Sequence, residues 1–242
     1  MQISAQLIFM RSEASINPRS NLGKTMNPST HVRLATLAIA LSSAMAAHAG
    51  RPLAVDDANV NDKGAGHIEA WVARDTSKSN VLNLAPAYAP IDGLEISGVL
   101  SRDTTNRVNA QSLQAKWRIT PSKEKGCNVA AVLGATHLSG GGGNATYLSG
   151  NLSCNGLGPV NVHANLGATK SKSASAIGTW GVAAELPMAS WTPHVEVFGA
   201  EGSKATAQLG ARTQLTKELQ LDGNVARNDG QTAYSLGVKY QF

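Results

Sequence analysis

Alternation of apolar and polar side chains with a period of two, repeated in short segments from residue 67 to the last residue, restricts this chain to a β architecture. The last segment displays it most fully. Tyr234, Leu236, Val238, Tyr240 and Phe242 fall on one face of an extended strand, and Ser235, Gly237, Lys239 and Gln241 on the other. The split recurs with Leu113, Ala115, Trp117 and Ile119 opposite Gln114, Lys116 and Arg118. It recurs with Val160, Val162, Ala164 and Leu166 opposite Asn161, His163 and Asn165, and where Leu209 and Ala211 face away from Gln208, Arg212 and Gln214. After residue 49 no helical periodicity is sustained, and no apolar run reaches the roughly 20 residues of a spanning helix.

Gly, Asn, Asp, Pro and Ser clusters cut the alternating region into about twelve segments of roughly 8 to 11 residues, the length that a tilted membrane strand needs. They are predicted at 67–74, 81–88, 94–102, 110–119, 128–137, 145–153, 160–169, 175–186, 192–199, 205–215, 219–227 and 232–242. A soluble sandwich would also alternate. Strand length and the export signal described next favour an all-β fold, an antiparallel transmembrane β-barrel of about 12 strands with short loops on both sides. An even strand number returns both chain ends to one side, the periplasm in bacterial barrels. Tyr88, Trp117, Trp191, Tyr240 and Phe242 are then expected near the periplasmic rim, and Tyr147 and Tyr234 near the outer one. Aromatic residues at 5% make any such girdle sparse.

Residues 1–49 read as an export signal with an upstream segment. From Met26 a polar stretch carrying His31 and Arg33 leads into the apolar run Leu34 to Leu41, then to Ala47-His48-Ala49, an A-x-A cleavage pattern. Cleavage is expected before Gly50, leaving residues 50–66 as a periplasmic N-terminal segment across the barrel mouth and 67–242 as the outer-membrane barrel. Cleavage removes Arg11, Arg19, Lys24, Arg33 and Glu13 from totals of 21 basic and 16 acidic residues. What remains is near neutral and holds no Lys/Arg cluster, which argues against a nucleic-acid partner.

Cys127 opens one predicted strand and Cys154 closes the next, symmetrically about the glycine-rich tip at Gly140 to Gly143, so the two are expected to meet across a hairpin as a disulfide. If the facing assignments hold, Glu69, Glu95, Lys116, Arg118, His163, Glu196, Arg212, Asp222 and Lys239 line the lumen, with mixed signs. They serve either ion selectivity or mutual pairing. His137 and Ser139 stand two apart and would share one strand face, a base and nucleophile pair in the pattern of outer-membrane phospholipases. Asp57, Asn59 and Asn61 alternate as in a calcium loop, but Asp62 stands where that loop needs Gly and Ile68 where it needs Glu. Neither a metal nor a cofactor is expected.

The ending Tyr240-Gln241-Phe242 resembles the terminal strand by which outer-membrane barrels are recognised for assembly, which implies the barrel-assembly machinery as a partner alongside outer-membrane lipid. The stretch Arg51-Pro52-Leu53, Asp56-Asp57-Ala58 and Gly66-His67-Ile68-Glu69-Ala70-Trp71 resembles the opening of the phenol-degradation-pathway (meta-pathway) outer-membrane proteins. That resemblance implies an outer-membrane barrel of a Gram-negative bacterium that helps small hydrophobic or aromatic molecules across. The expected function is non-enzymatic passage or uptake of an unidentified small solute. The alternatives are an outer-membrane lipid hydrolase using His137 and Ser139, and a purely structural barrel.

Overall fold

The computed structural model describes residues 53–140, 143–156, 158–172 and 174–242. The expected export signal and its cleavage point lie outside them.

Twelve strands follow one another in sequence: β1 (Gly66–Asp75), β2 (Asn80–Ile91), β3 (Leu94–Asp103), β4 (Val108–Arg118), β5 (Gly126–Leu138) and β6 (Gly143–Asn155), then β7 (Asn161–Ser171), β8 (Ile177–Glu185), β9 (Thr192–Ala200), β10 (Thr206–Gln214), β11 (Leu219–Asn228) and β12 (Gln231–Gln241). Each pairs antiparallel with its sequence neighbours, and β1 pairs with β12, closing a barrel with no free sheet edge. At the seam, Gly66 N donates to Phe242 O at 2.8 Å and Phe242 N to Gly66 O at 2.9 Å. Both ends of the barrel chain therefore lie at one rim, here the near end. The connections are short at both ends. The β2–β3 and β11–β12 turns are two residues each, and in the latter Asp229 (φ 42°) and Gly230 (φ 81°) take the left-handed conformations of a type I′ hairpin.

Polarity is inverted relative to a soluble protein. Leu113, Leu133, Leu166 and Leu209 stand on the outer face, with Leu166 73% exposed, while Asn128, Asn151, Ser153 and Gln208 are buried within the ring. A ring with an apolar outside and a polar inside suits a lipid surround. It cannot be a sandwich, whose two sheets bury their apolar faces against each other.

Two differences from the sequence expectation have clear causes. β8 begins at Ile177 and ends at Glu185, because Leu186 already belongs to the turn, its N–H donating to Pro193 O at 2.9 Å. Tyr147 is not a rim aromatic. It shares parity with Ala145 and Asn151, points inward and is 4% exposed. Its ring lies over its register partner Gly134, where a Cβ would approach it to 2.1 Å.

Candidate functional site: the barrel interior and the segment within it

The sequence reading places residues 50–66 across the mouth. In the structure, the described part of that segment enters the barrel and is bound there by side chains of the surrounding wall. Glu196 of β9 accepts the N–H groups of Ala54 and Val55, each at 2.7 Å, through one carboxylate oxygen. Its other oxygen accepts from Gln208 of β10. Asn165 of β7 clasps the Asp56 backbone, accepting its N–H at 2.7 Å and donating to its carbonyl at 2.8 Å. The Ala58 N–H donates to Ser153 Oγ of β6 at 2.7 Å, and the Asn61 N–H to Glu95 of β3 at 3.0 Å. A segment without secondary structure cannot satisfy its own backbone, so once buried it needs these partners from the wall.

Lys116 of β4 is the centre of this arrangement. Its Nζ lies 2.7 Å from Asp56 Oδ1 and 3.7 Å from Asp57 Oδ1, and it donates to the carbonyls of Asp57 and Asn59 at 3.2 Å. Asn151 donates to the second Asp56 oxygen at 2.9 Å. Burial pushes the Asp56 carboxyl up to about 8, with the Lys116 ammonium opposing it. Burial also acts to raise Asp57, but Lys116, His163 and the hydrogen bond from Asn59 outweigh it and hold that carboxyl below its usual range. Further in, Leu53, Ala54 and Val55 pack against Ala183 and Phe198, an apolar anchor inside an otherwise polar lumen.

The nine residues named above as lumen-lining all turn inward, and most are paired. Lys239 lies 3.3 Å from Glu69, whose carboxylate also faces His67 at 3.6 Å. Arg212 binds Glu185 at 2.6 Å; Glu185 contacts His163 Nε2 at 3.4 Å, and His163 Nδ1 meets Ser153 Oγ at 2.8 Å. Arg118 lies at the near mouth, 3.2 Å from Asp92, and Asp222 is buried in register opposite Arg212. Between the segment and the walls of β12 and β1 to β4 remains a cavity of about 230 Å³, bordered by His67, Glu69, Glu95, Gln114, Lys116 and Lys239.

Cys127 and Cys154 face each other in register across the β5–β6 hairpin and are joined as a disulfide near the mouth. The hydrolase pair is not assembled. His137 is outward-facing and bonded to Asn144 at 2.7 Å, but β5 ends at Leu138, and Ser139, in the turn beyond, accepts the Asn109 N–H at 2.8 Å. Among the described residues no bond joins the two. Asp57, Asn59 and Asn61 serve the segment's own contacts with Lys116, Glu95 and His67. The residues that sequence reasoning missed are Asn151, Ser153, Asn165 and Gln208, which look like ordinary inward polar positions. Asn165 and Gln208 stand on the polar faces already identified; nothing local marks them as partners of residues 54–58.

A family model described as "Uncharacterised conserved protein UCP029691" matches residues 37–235. No curated protein matches. Among solved structures, the chain is similar to the KdgM porin in complex with disordered oligogalacturonate, at 13% identity and TM-score 0.65 over 73% of this chain and 99% of that one. It is also similar to the NanC porin, at 10% identity and TM-score 0.61 over 72% and 98% of the two chains. A third is the COG4313 outer membrane channel from Pseudomonas putida F1, at 10% and 0.56 over 77% and 98%. At such identities the likeness is one of fold.

Proposed function

We propose that this chain, which belongs to that family, is an outer-membrane channel for small polar solutes, narrowed by its own N-terminal segment. The observation that carries the reading is the charged cavity beside that segment, enclosed by a wall whose outer face is apolar. Such a cavity favours water-soluble passengers, since an apolar or aromatic molecule would leave Glu69, Glu95, Lys116 and Lys239 desolvated against it. The porin-like folds of the similar structures support the same reading. Passage needs no bond making or breaking, and the chain is read as non-enzymatic.

Export through residues 1–49 and cleavage before Gly50 would deliver the barrel to the periplasm, with residues 53–66 entering from that side. Tyr240 and Phe242, whose rings stack with centroids 6.5 Å apart on the outer face at the seam, would present the assembly signal to the barrel-assembly machinery.

The test is single-channel conductance of the refolded mature chain in a planar bilayer, with heat-modifiable gel migration as proof of the barrel. Small discrete steps are expected, larger in Glu196→Ala, which loses the acceptor of two segment N–H groups. A correctly migrating barrel that stays silent in both forms overturns the channel.

A further inference from the structure

Charge is distributed unequally between the two rims. At the near end, Asp92, Glu124 and Glu218 alternate with Lys123, Lys125 and Lys217 on the turns. At the far end, an exposed arc from β11 to the β3–β4 turn holds Arg227, Arg74, Lys78, Arg102 and Arg107. None of these five has an ion pair among the described residues. The acids of that rim do not answer them. Asp75 and Asp103 turn inward and are consumed by their own turns, Asp75 accepting from Ser79 N at 2.7 Å and Asp103 from Thr105 N at 2.8 Å. Asp229 is taken by Lys204, and Glu201, on the β9–β10 turn outside the arc, accepts from Gly178 N at 3.3 Å. With the chain ends in the periplasm, the basic arc lies at the outer leaflet.

Beneath Arg102 runs an open groove of about 350 Å³ on the outer wall of β2, β3 and β4. Its outward side chains are Leu84 and Leu100 below and Leu82 beside Arg102, with Arg102, Asn109 and Gln111 at its polar border. Leu84 pairs in register with Leu100, and Leu82 with Arg102, so apolar floor and cationic head are set by the sheet. Two strand spacings of about 4.8 Å and an offset of two residues in register put Arg74 on β1 roughly 12 Å from Arg102 on β3, a spacing that one multiply charged headgroup spans. Tyr234, opposite Arg74 in register, supplies an amphipathic ring at the same level.

We infer that this groove and arc form a binding site for a phosphorylated, acylated lipid of the outer leaflet. An acyl chain lies along Leu84 and Leu100, and a phosphate is held by Arg102, with Arg74 and Arg107 taking the remaining negative charge. Guanidinium groups suit the task because they bind phosphate oxygens in pairs and stay charged beside hydrocarbon. The inference rests on the outer-membrane placement but not on conductance.

Native mass spectrometry of the full chain in neutral detergent, offered hexa-acyl diphosphoryl lipid A or the same lipid with its phosphates removed, tests it. The phosphorylated lipid is expected to stay bound and the dephosphorylated one to be lost. Binding is expected to fall about 10-fold or more in Arg74→Gln/Arg102→Gln/Arg107→Gln. It should be unchanged in Lys123→Gln/Lys125→Gln at the other rim, both proteins passing the heat-modifiability check. No retention by the wild type, equal retention of the dephosphorylated lipid, or an equal loss in both variants overturns the site. A conducting barrel that binds no lipid overturns this inference alone, and a silent barrel that binds it overturns only the channel.

Discussion

Val55 occupies the space that a side chain on Gly181 would need: a Cβ there would lie 2.7 Å from Val55 Cγ2 and 3.2 Å from Phe198 Cβ. Val55 cannot retreat freely, because its N–H is held by Glu196 and its neighbours Leu53 and Ala54 are packed on Ala183 and Phe198. Gly181→Ala is therefore expected to lift the segment from the wall without altering the ladder. Overpacking of this kind costs about 1–3 kcal/mol, enough to shift the docked fraction by roughly an order of magnitude or more. Single-channel recordings should show a higher-conductance state visited more often than in the wild type. Unchanged recordings would mean that Val55 does not sit against Gly181 in the membrane.

Glu196 offers a second, chemically separate way to release the segment. One of its oxygens accepts both Ala54 N–H and Val55 N–H, and the other accepts from Gln208. In Glu196→Ala two buried donors lose their acceptor, at about 1–3 kcal/mol each. Glu196→Gln should be milder, because its amide oxygen can still accept both N–H groups while Gln208 turns its own oxygen toward the new NH₂. The expected order of open-state occupancy is wild type, then Gln, then Ala. Equal occupancy in the two variants would show that charge, rather than hydrogen bonding, holds the segment.

Docking of the segment should be linked to proton uptake. The docked Asp56 carboxyl is raised to about 8, above its ordinary 3.8, so the docked state binds a proton that the released state gives up. The resulting advantage is complete below pH 4, shrinks as pH rises through the window from 4 to 8, and is gone above it. Asp57, held below its ordinary value, acts in the opposite direction and weakens docking as pH falls through and below 4. Conductance measured from pH 5 to 9 should therefore rise with pH in the wild type and lose most of that slope in Asp56→Asn. A slope that survives the substitution assigns the proton to another group.

The fold was legible because it depends on parity alone. Each strand carries its in-or-out code in its own residues, as the run from Tyr234 to Phe242 shows, and closure adds no new requirement beyond an even number of similar strands. The site was less legible because its contacts join residues far apart in sequence: Asp56 to Asn165 across 109 positions, Ala54 to Glu196 across 142. Nothing local marks Leu53 to Asn61 as an internal ligand, since the segment has no period and its polar atoms would suit solvent equally well. The inward turn of Tyr147 was readable in principle from its parity with Ala145 and from a glycine opposite it, but an expectation of rim aromatics outweighed that sign. Spacing likewise set His137 and Ser139 on one face, although the strand ends between them, which spacing cannot reveal.

The disulfide between Cys127 and Cys154 should stabilise the barrel without affecting passage. In the folded protein the two residues already face each other at the mouth end of the β5–β6 ladder, so the bond adds little to the native geometry. Its effect falls on the unfolded chain, where it closes a loop across a sequence separation of 27 residues. Loop-closure entropy for a ring of that size corresponds to roughly 3.5 kcal/mol. Reduction, or Cys127→Ser/Cys154→Ser, should then lower the temperature at which the folded gel band converts to the unfolded one, while single-channel conductance stays the same. A conductance change would place the bond in the permeation path, and an unchanged conversion temperature would show that unfolding begins in another part of the barrel and leaves this hairpin intact.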